Sequence, residues 1–199
     1  MNQSQKIAIV APPLLVVMMI GIFQAAKRWL GAKRAWYAGF LVYWPIWCIL
    51  FPWALLGRKR IKELFRGKRP TASGWILFAI PSVMTFIGLS RMRYNQPDLR
   101  ARLAAFLMPL VMGPLEEILW RGVYIELFPG NIVWGFVWPT FWFALWHFAP
   151  GTVSTIPPVT LMAGAAGFGA CWSWLALKTG TIRWSTASHA LTGLVRALG

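Results

Sequence analysis

Residues 103–128 read LAAFLMPLVMGPLEEILWRGVYIELF, an apolar stretch with Glu116, Glu117 and Arg121 near its centre. A helix that crosses a bilayer needs about 20 predominantly apolar residues, and this stretch is long enough. An ionisable group at the middle of a span costs about 2.5 to 3.5 kcal/mol on insertion scales, so such groups mark function by default.

Working outward, six further apolar stretches lie at 7–23, 36–56, 72–89, 132–148 and 159–177, with a shorter, more polar one at 182–198. The composition agrees: 58% of the 199 residues are hydrophobic, 14 are Trp and only 13% are charged, whereas a soluble domain is about 25% charged. The expected fold is all-α, a polytopic helical membrane protein of about seven transmembrane helices with an active site between helices four, five and seven. It forms a single integral membrane domain over 1–199, with N-terminal helices and basic loops in 1–102 and a catalytic core in 103–199. Lys6 followed by an apolar run resembles a signal peptide, but Pro12 and Pro13 interrupt the run and more spans follow, so it is taken as the first helix. Cys48 and Cys171 lie inside apolar stretches and read as packed thiols.

The net charge is +15, from 20 Lys or Arg against 5 Asp or Glu. The excess sits in short runs between apolar segments, which fits anionic headgroups rather than nucleic acid. With seven spans, Lys6, the seven basic residues of 58–69, Lys178 and Arg183 share one side. Lys27, Arg28, Lys33, Arg34, Arg91, Arg93, Arg100, Arg102 and Arg196 share the other. Ten against nine does not orient the protein, and only the density of the 58–69 loop points to its side as the cytoplasmic one.

The chain has two histidines, His147 and His189, both in or beside apolar helices. Pro129-Gly130-Asn131 joins the fourth and fifth spans and forces an antiparallel hairpin. At about 1.5 Å of rise per residue, Glu116 and His147 lie about 18 and 22 Å from the same face, and His189 lies about 12 Å from it. All three are therefore expected on one cavity. Glu117 and Arg121 are four residues apart, in the favourable order for an ion pair, while Glu116 points about 100° away. Glu116 is thereby left as a desolvated carboxylate suited to general-base work. Phe143 is one turn before His147 and can wall its ring. The series Trp134, Trp138, Trp142, Trp146 reads as a lipid-facing stripe, and Glu126 as an interfacial residue.

Several intramembrane chemistries drop out. Aspartyl proteolysis needs two membrane aspartates, and the single Asp98 lies in a basic loop. HExxH is absent because Phe148 follows His147. Ser185 lies one turn from His189, but no GxS nucleophile motif is present. A water-activating Glu and His site remains, with or without a divalent metal such as Zn held by His147, His189 and Glu116.

Glu116-Glu117-x-x-x-Arg121, Phe143-x-x-x-His147 and His189 after Lys178-Thr-Gly-Thr-Ile together resemble the three motifs of the CPBP family, the CAAX-prenyl and bacteriocin-processing intramembrane proteases. The resemblance spans about 103–194. It implies a helical membrane fold and endopeptidase activity in which Glu116 and His147 activate water and His189 helps bind the oxyanion. The family has been described both as metal-dependent and as glutamate-type. Its usual Asn four residues after the last His is here Gly193, so Thr192 or backbone N–H groups are expected to substitute, and Asn at 193 would restore the donor if the cavity has room.

The candidate catalytic residues are thus Glu116, Glu117, His147 and His189, supported by Arg121, Phe143, Thr192 and Gly193. The expected protein is a multi-pass cell-membrane endopeptidase whose partners are the lipid bilayer and a membrane-associated protein or peptide substrate, with no nucleic acid. Alternatives are a non-proteolytic immunity or interaction protein that keeps the fold, and a proton-coupled transporter, against which the chain shows no internal repeat.

Overall fold

The computed structural model describes residues 1–90 and 99–198, so Arg91, Arg93 and Asp98 of the expected basic loop lie outside the described residues. The described chain is helical without strands: α1 (Gln3–Leu30), α2 (Ala32–Tyr43), α3 (Phe51–Glu63), α4 (Ala72–Ser90), α5 (Leu99–Glu117), α6 (Val123–Leu127), α7 (Trp138–Trp146), α8 (Phe148–Gly151), α9 (Pro158–Thr179) and α10 (Arg183–Leu198). Wide π turns at Trp44–Leu50, Ile118–Gly122 and Val133–Val137 join α2 to α3, α5 to α6 and the start of the fifth rod to α7. The result is seven rods that follow the seven apolar stretches.

Gln3–Leu30, Ala32–Glu63 and Pro158–Thr179 are long and apolar enough to cross a membrane, and Ala72–Gly88 is a shorter apolar helix. Every candidate site residue lies on one of the other three rods. Large apolar side chains such as Leu14, Val17, Leu41, Trp53 and Phe86 are exposed on the outside, as a lipid-facing surface requires.

Two of the π turns have a visible cause. Pro52 follows the first and Pro139 the third. A proline ring has no N–H and crowds the carbonyl four residues back, and a widened turn relieves that crowding. The rod then continues instead of breaking. Helix α1 likewise runs through Pro12 and Pro13 and buries Leu15, Val16, Met19 and Phe23 in the bundle.

The loops sort to two ends. Gly57 (φ 72°, ψ 163°) kinks α3 just before Arg58, Lys59 and Arg60. The following loop is clasped to the α9–α10 connection: the Leu64 carbonyl accepts from the Ile182 N–H at 2.9 Å and the Thr181 hydroxyl at 2.7 Å. The Lys68 N–H donates to the Thr179 carbonyl at 3.1 Å, and the Trp184 indole to the Lys68 carbonyl at 3.0 Å. Gln5 donates to the Leu127 carbonyl at 2.8 Å, which brings the N-terminus and the Gly130 turn to this same end. Gly130 has φ 72°, a left-handed conformation that glycine adopts without strain. Glu126 sits there 3.8 Å from Arg60. At the opposite end Lys27 donates to the Thr152 carbonyl at 2.9 Å. Among the described residues, the N-terminus, the basic loop after α3 and the α9–α10 connection thus share one end, with Lys27 at the other.

Helix α10 presses closely on α5. A Cβ at Gly113 would lie 3.3 Å from the Ala190 nitrogen, and one at Gly193 would overlap the ring of buried Pro109. The room that an Asn at 193 needs is therefore missing, because a proline ring cannot rotate aside. Gly193→Asn is expected to cost about 1 to 3 kcal/mol through overpacking, read as a lower melting temperature of the detergent-purified protein, without a gain in activity.

Candidate functional site

A fully buried cation, Arg121, lies in the π turn after α5. It is 1% exposed. Its Nη1 lies 3.1 Å from Glu117 Oε1, its Nε donates to the Ser173 hydroxyl at 3.1 Å and its Nη2 to the Gly169 carbonyl at 3.2 Å. The guanidinium also stands over the Phe143 ring at 4.1 Å and the Trp172 ring at 5.5 Å, positions that favour a cation. Gly169 makes this docking possible, since a Cβ there would come within 2.8 Å of Phe143 and 3.0 Å of Arg121.

Glu117, 0% exposed, is thus paired on its own helix. It has a second partner that helical spacing does not disclose: His189 Nδ1 lies 3.0 Å from the same oxygen. A carboxylate accepts, so Nδ1–H donates and Nε2 is left facing the other way. His189 is stacked on Trp172 with ring centroids 3.9 Å apart and planes at 16°. Trp172 is fixed in turn by its indole donating to the Ser188 hydroxyl at 3.0 Å, which donates to the Phe78 carbonyl at 2.6 Å.

Glu116, His147 and His189 line one cavity of about 220 Å³, together with Met112, Phe143, Ala165, Phe168 and other apolar groups. Glu116 is 2% exposed. Its Oε2 is 3.9 Å from His189 Nε2, beyond direct hydrogen-bond distance. His147 Nδ1 is 2.8 Å from the Phe143 carbonyl. The carbonyl can only accept, so Nδ1 carries the proton and Nε2 keeps its lone pair. Phe143 meets the His147 ring edge-on at 4.7 Å. The α7 rod thus supplies both the wall of this imidazole and the carbonyl that fixes its tautomer.

Thr192 does not provide the donor expected of it. Its one hydroxyl proton goes to the Ser188 carbonyl at 2.8 Å, and its oxygen pairs with Ser82 Oγ at 3.1 Å. Gly193 lines the cavity without a side-chain donor and lets α10 lie close to α5. Trp146 departs from the expected lipid-facing stripe: it is 0% exposed and stacked on Tyr43, with centroids 3.9 Å apart. Tyr43 and Trp120, whose indole donates to the Tyr43 hydroxyl at 2.8 Å, support Trp146 from outside the cavity lining, and nothing in their local sequence marks them. Ser185 donates to the Ile182 carbonyl at 3.1 Å.

The metal donor set can be tested on geometry. Among the described residues, no three His, Cys, Asp or Glu side chains form a group able to hold an ion. Glu116, His147 and His189 share the cavity without converging on a common ligating point.

Residues 98–195 match the family model of the type II CAAX prenyl endopeptidase Rce1-like proteins, within the CPBP family. The C-terminal half of the chain belongs to this family. No curated protein and no solved structure matches the chain. The Rce1-like match contains Glu116, Glu117, Arg121, His147 and His189, and it supports a membrane-embedded protease of CPBP type with a peptide substrate.

Removing Arg121 strands Glu117 without its cation. Arg121→Ala is expected to cost about 3 to 5 kcal/mol, seen as reduced membrane abundance and a lower melting temperature. Arg121→Lys recovers part of the loss, because an ammonium lacks the planar fork that reaches Glu117, Ser173 and Gly169 at once. Wild-type abundance of an inactive Arg121→Ala protein would move this residue from support into the chemistry.

Proposed function

We propose that the protein is a multi-pass intramembrane endopeptidase of the cell membrane, hydrolysing a peptide bond of a membrane-associated protein or peptide with water activated by Glu116 and His147. The observation that carries this reading is a carboxylate without a hydrogen-bonded cation, sharing an apolar cavity with an imidazole whose Nδ1 is tied to a carbonyl. A water held between Glu116 and His147 Nε2 loses a proton as its oxygen adds to the carbonyl carbon of the substrate. The carbonyl oxygen becomes an oxyanion. His189 Nε2 faces that position and donates to it in the imidazolium form, where the Glu117 carboxylate on Nδ1 balances the charge. Collapse of the tetrahedral adduct breaks the C–N bond, and the abstracted proton passes to the leaving amine.

The apolar walls suit an apolar or lipid-modified segment, because a polar peptide would lose its hydration without replacement. The same walls exclude bulk water, which strengthens the electrostatic contacts that form during the reaction.

Glu116→Gln keeps volume and hydrogen bonding but cannot take a proton. It is expected to lower kcat by about 10²- to 10⁴-fold while the protein stays folded in the membrane. His147→Ala should behave alike, His189→Ala should lose about 10²- to 10³-fold, and a strong chelator should leave the wild-type rate unchanged. The assay is conversion of a tagged membrane peptide at equal enzyme levels. Full cleavage by Glu116→Gln would sink this mechanism, and loss of activity on chelation with recovery on adding Zn²⁺ would replace the glutamate-type route with a metal-dependent one.

A further inference from the structure

An indole N–H is a donor and nothing else, so a buried one without an acceptor is costly. Among the described residues, Trp44, Trp47, Trp138, Trp142 and Trp146 carry a buried indole nitrogen with no hydrogen-bond partner. Four of these side chains are partly exposed. Trp146 alone of the five is fully buried, and it alone lines the cavity that holds Glu116 and His147.

The other buried donors of the cavity wall are committed elsewhere. Trp172 donates to Ser188, Thr192 to the Ser188 carbonyl and His189 Nδ1 to Glu117. The Trp146 ring is also held against rotation: Tyr43 covers its face at 3.9 Å and Phe40 meets it at 6.2 Å with planes at 88°. Tyr43 is itself pinned by the Trp120 indole. In this clamped position Trp146, with its unpartnered N–H, borders the same cavity as the Glu116 carboxylate, whose Oε2 stands 3.9 Å from His189 Nε2.

We infer that Trp146 is a positioning residue of the reaction, its indole N–H holding one oxygen of the Glu116 carboxylate so that the other is presented to the attacking water. This assignment rests on the endopeptidase reading. A carboxylate turns freely about its last bond unless something holds one oxygen, and misplacing a general base by a fraction of an ångström is felt in the rate. Hydrogen bonds of this kind are often long in the unliganded site and tighten when substrate excludes water. No substrate contact is required of the indole, so the effect belongs in kcat and not in KM.

Two replacements test the assignment: Trp146→Phe, and Trp146 replaced by 3-benzothienylalanine, which keeps the bicyclic shape but has sulfur in place of the N–H. Both should lower kcat about 10- to 100-fold with KM within about twofold, and the benzothienyl protein should keep wild-type abundance and melting temperature. A benzothienyl variant with wild-type kcat overturns the inference, whatever the Phe variant does. A loss expressed only in KM also overturns it, by making Trp146 a wall for substrate. Glu116→Gln is run alongside: if it cleaves as well as the wild type, the endopeptidase mechanism fails and the role of Trp146 fails with it. If Glu116→Gln is inactive while the benzothienyl variant is fully active, the mechanism stands and only the inference falls.

Discussion

Arg121 and Glu117 cannot be where they are except together. Both are essentially without solvent contact, and an isolated charge at such a place is prohibitive. The pair satisfies itself along the α5–α6 rod, but each member also reaches out. Arg121 takes Ser173 and Gly169 from α9 and the face of Phe143 from α7. Glu117 takes His189 from α10. A buried ion pair adds little net stability over good apolar packing, whereas breaking one is expensive. Its effect here is therefore selective: arrangements of these four rods that do not bring Gly169, Ser173 and His189 to the pair leave polar groups stranded in an apolar interior.

Close backbone approach makes that arrangement possible. Gly169 lets the guanidinium lie against α9, and Gly113 and Gly193 let α10 lie against α5. In an apolar solvent the hydrophobic effect does not drive helices together, and small residues that permit tight contact take over that role. The absence of a side chain at 193 is one consequence. A donor placed at that position would require α10 to stand farther from Pro109, and His189, one turn earlier on the same helix, would then move away from Glu117.

The seven rods were legible because apolar runs of membrane-spanning length are a strong signal, and the short Pro129-Gly130-Asn131 turn fixed the relative depth of Glu116 and His147. The Glu117–Arg121 pair followed from helical spacing. What could not be read depends on how helices rotate about their axes when they pack. Trp146 belongs to a four-residue series that looks like a stripe, yet each four-residue step on α7 turns the side chain by about 40°. Trp146 is thus about 80° round from Trp138, enough to carry it from the lipid face into the bundle. The His189–Glu117 contact and the engagement of Thr192 by Ser188 and Ser82 are set by the same rotations, and no local pattern announces them. The π turns further shift angular register in a way that regular periodicity cannot follow.

Adjacent carboxylates at 116 and 117 meet different surroundings from one helix, and the proposed mechanism gives one to support and the other to chemistry. Their directions differ by about 100°. Glu117 faces the cation and the imidazole of its neighbours, so its charge is balanced and its geometry fixed. Glu116 faces the cavity, where Met112, Phe143, Ala165 and Phe168 carry no charge to balance its own. His189 connects the two, with Nδ1 on Glu117 and Nε2 3.9 Å from Glu116. Because a rigid, planar ring carries both nitrogens, any displacement of Glu117 is transmitted to the atom that faces the cavity. The ion pair and the Glu116 carboxylate are in this sense mechanically coupled, and in the proposed mechanism the orientation of His189 is the quantity through which a change at Arg121 reaches the reaction.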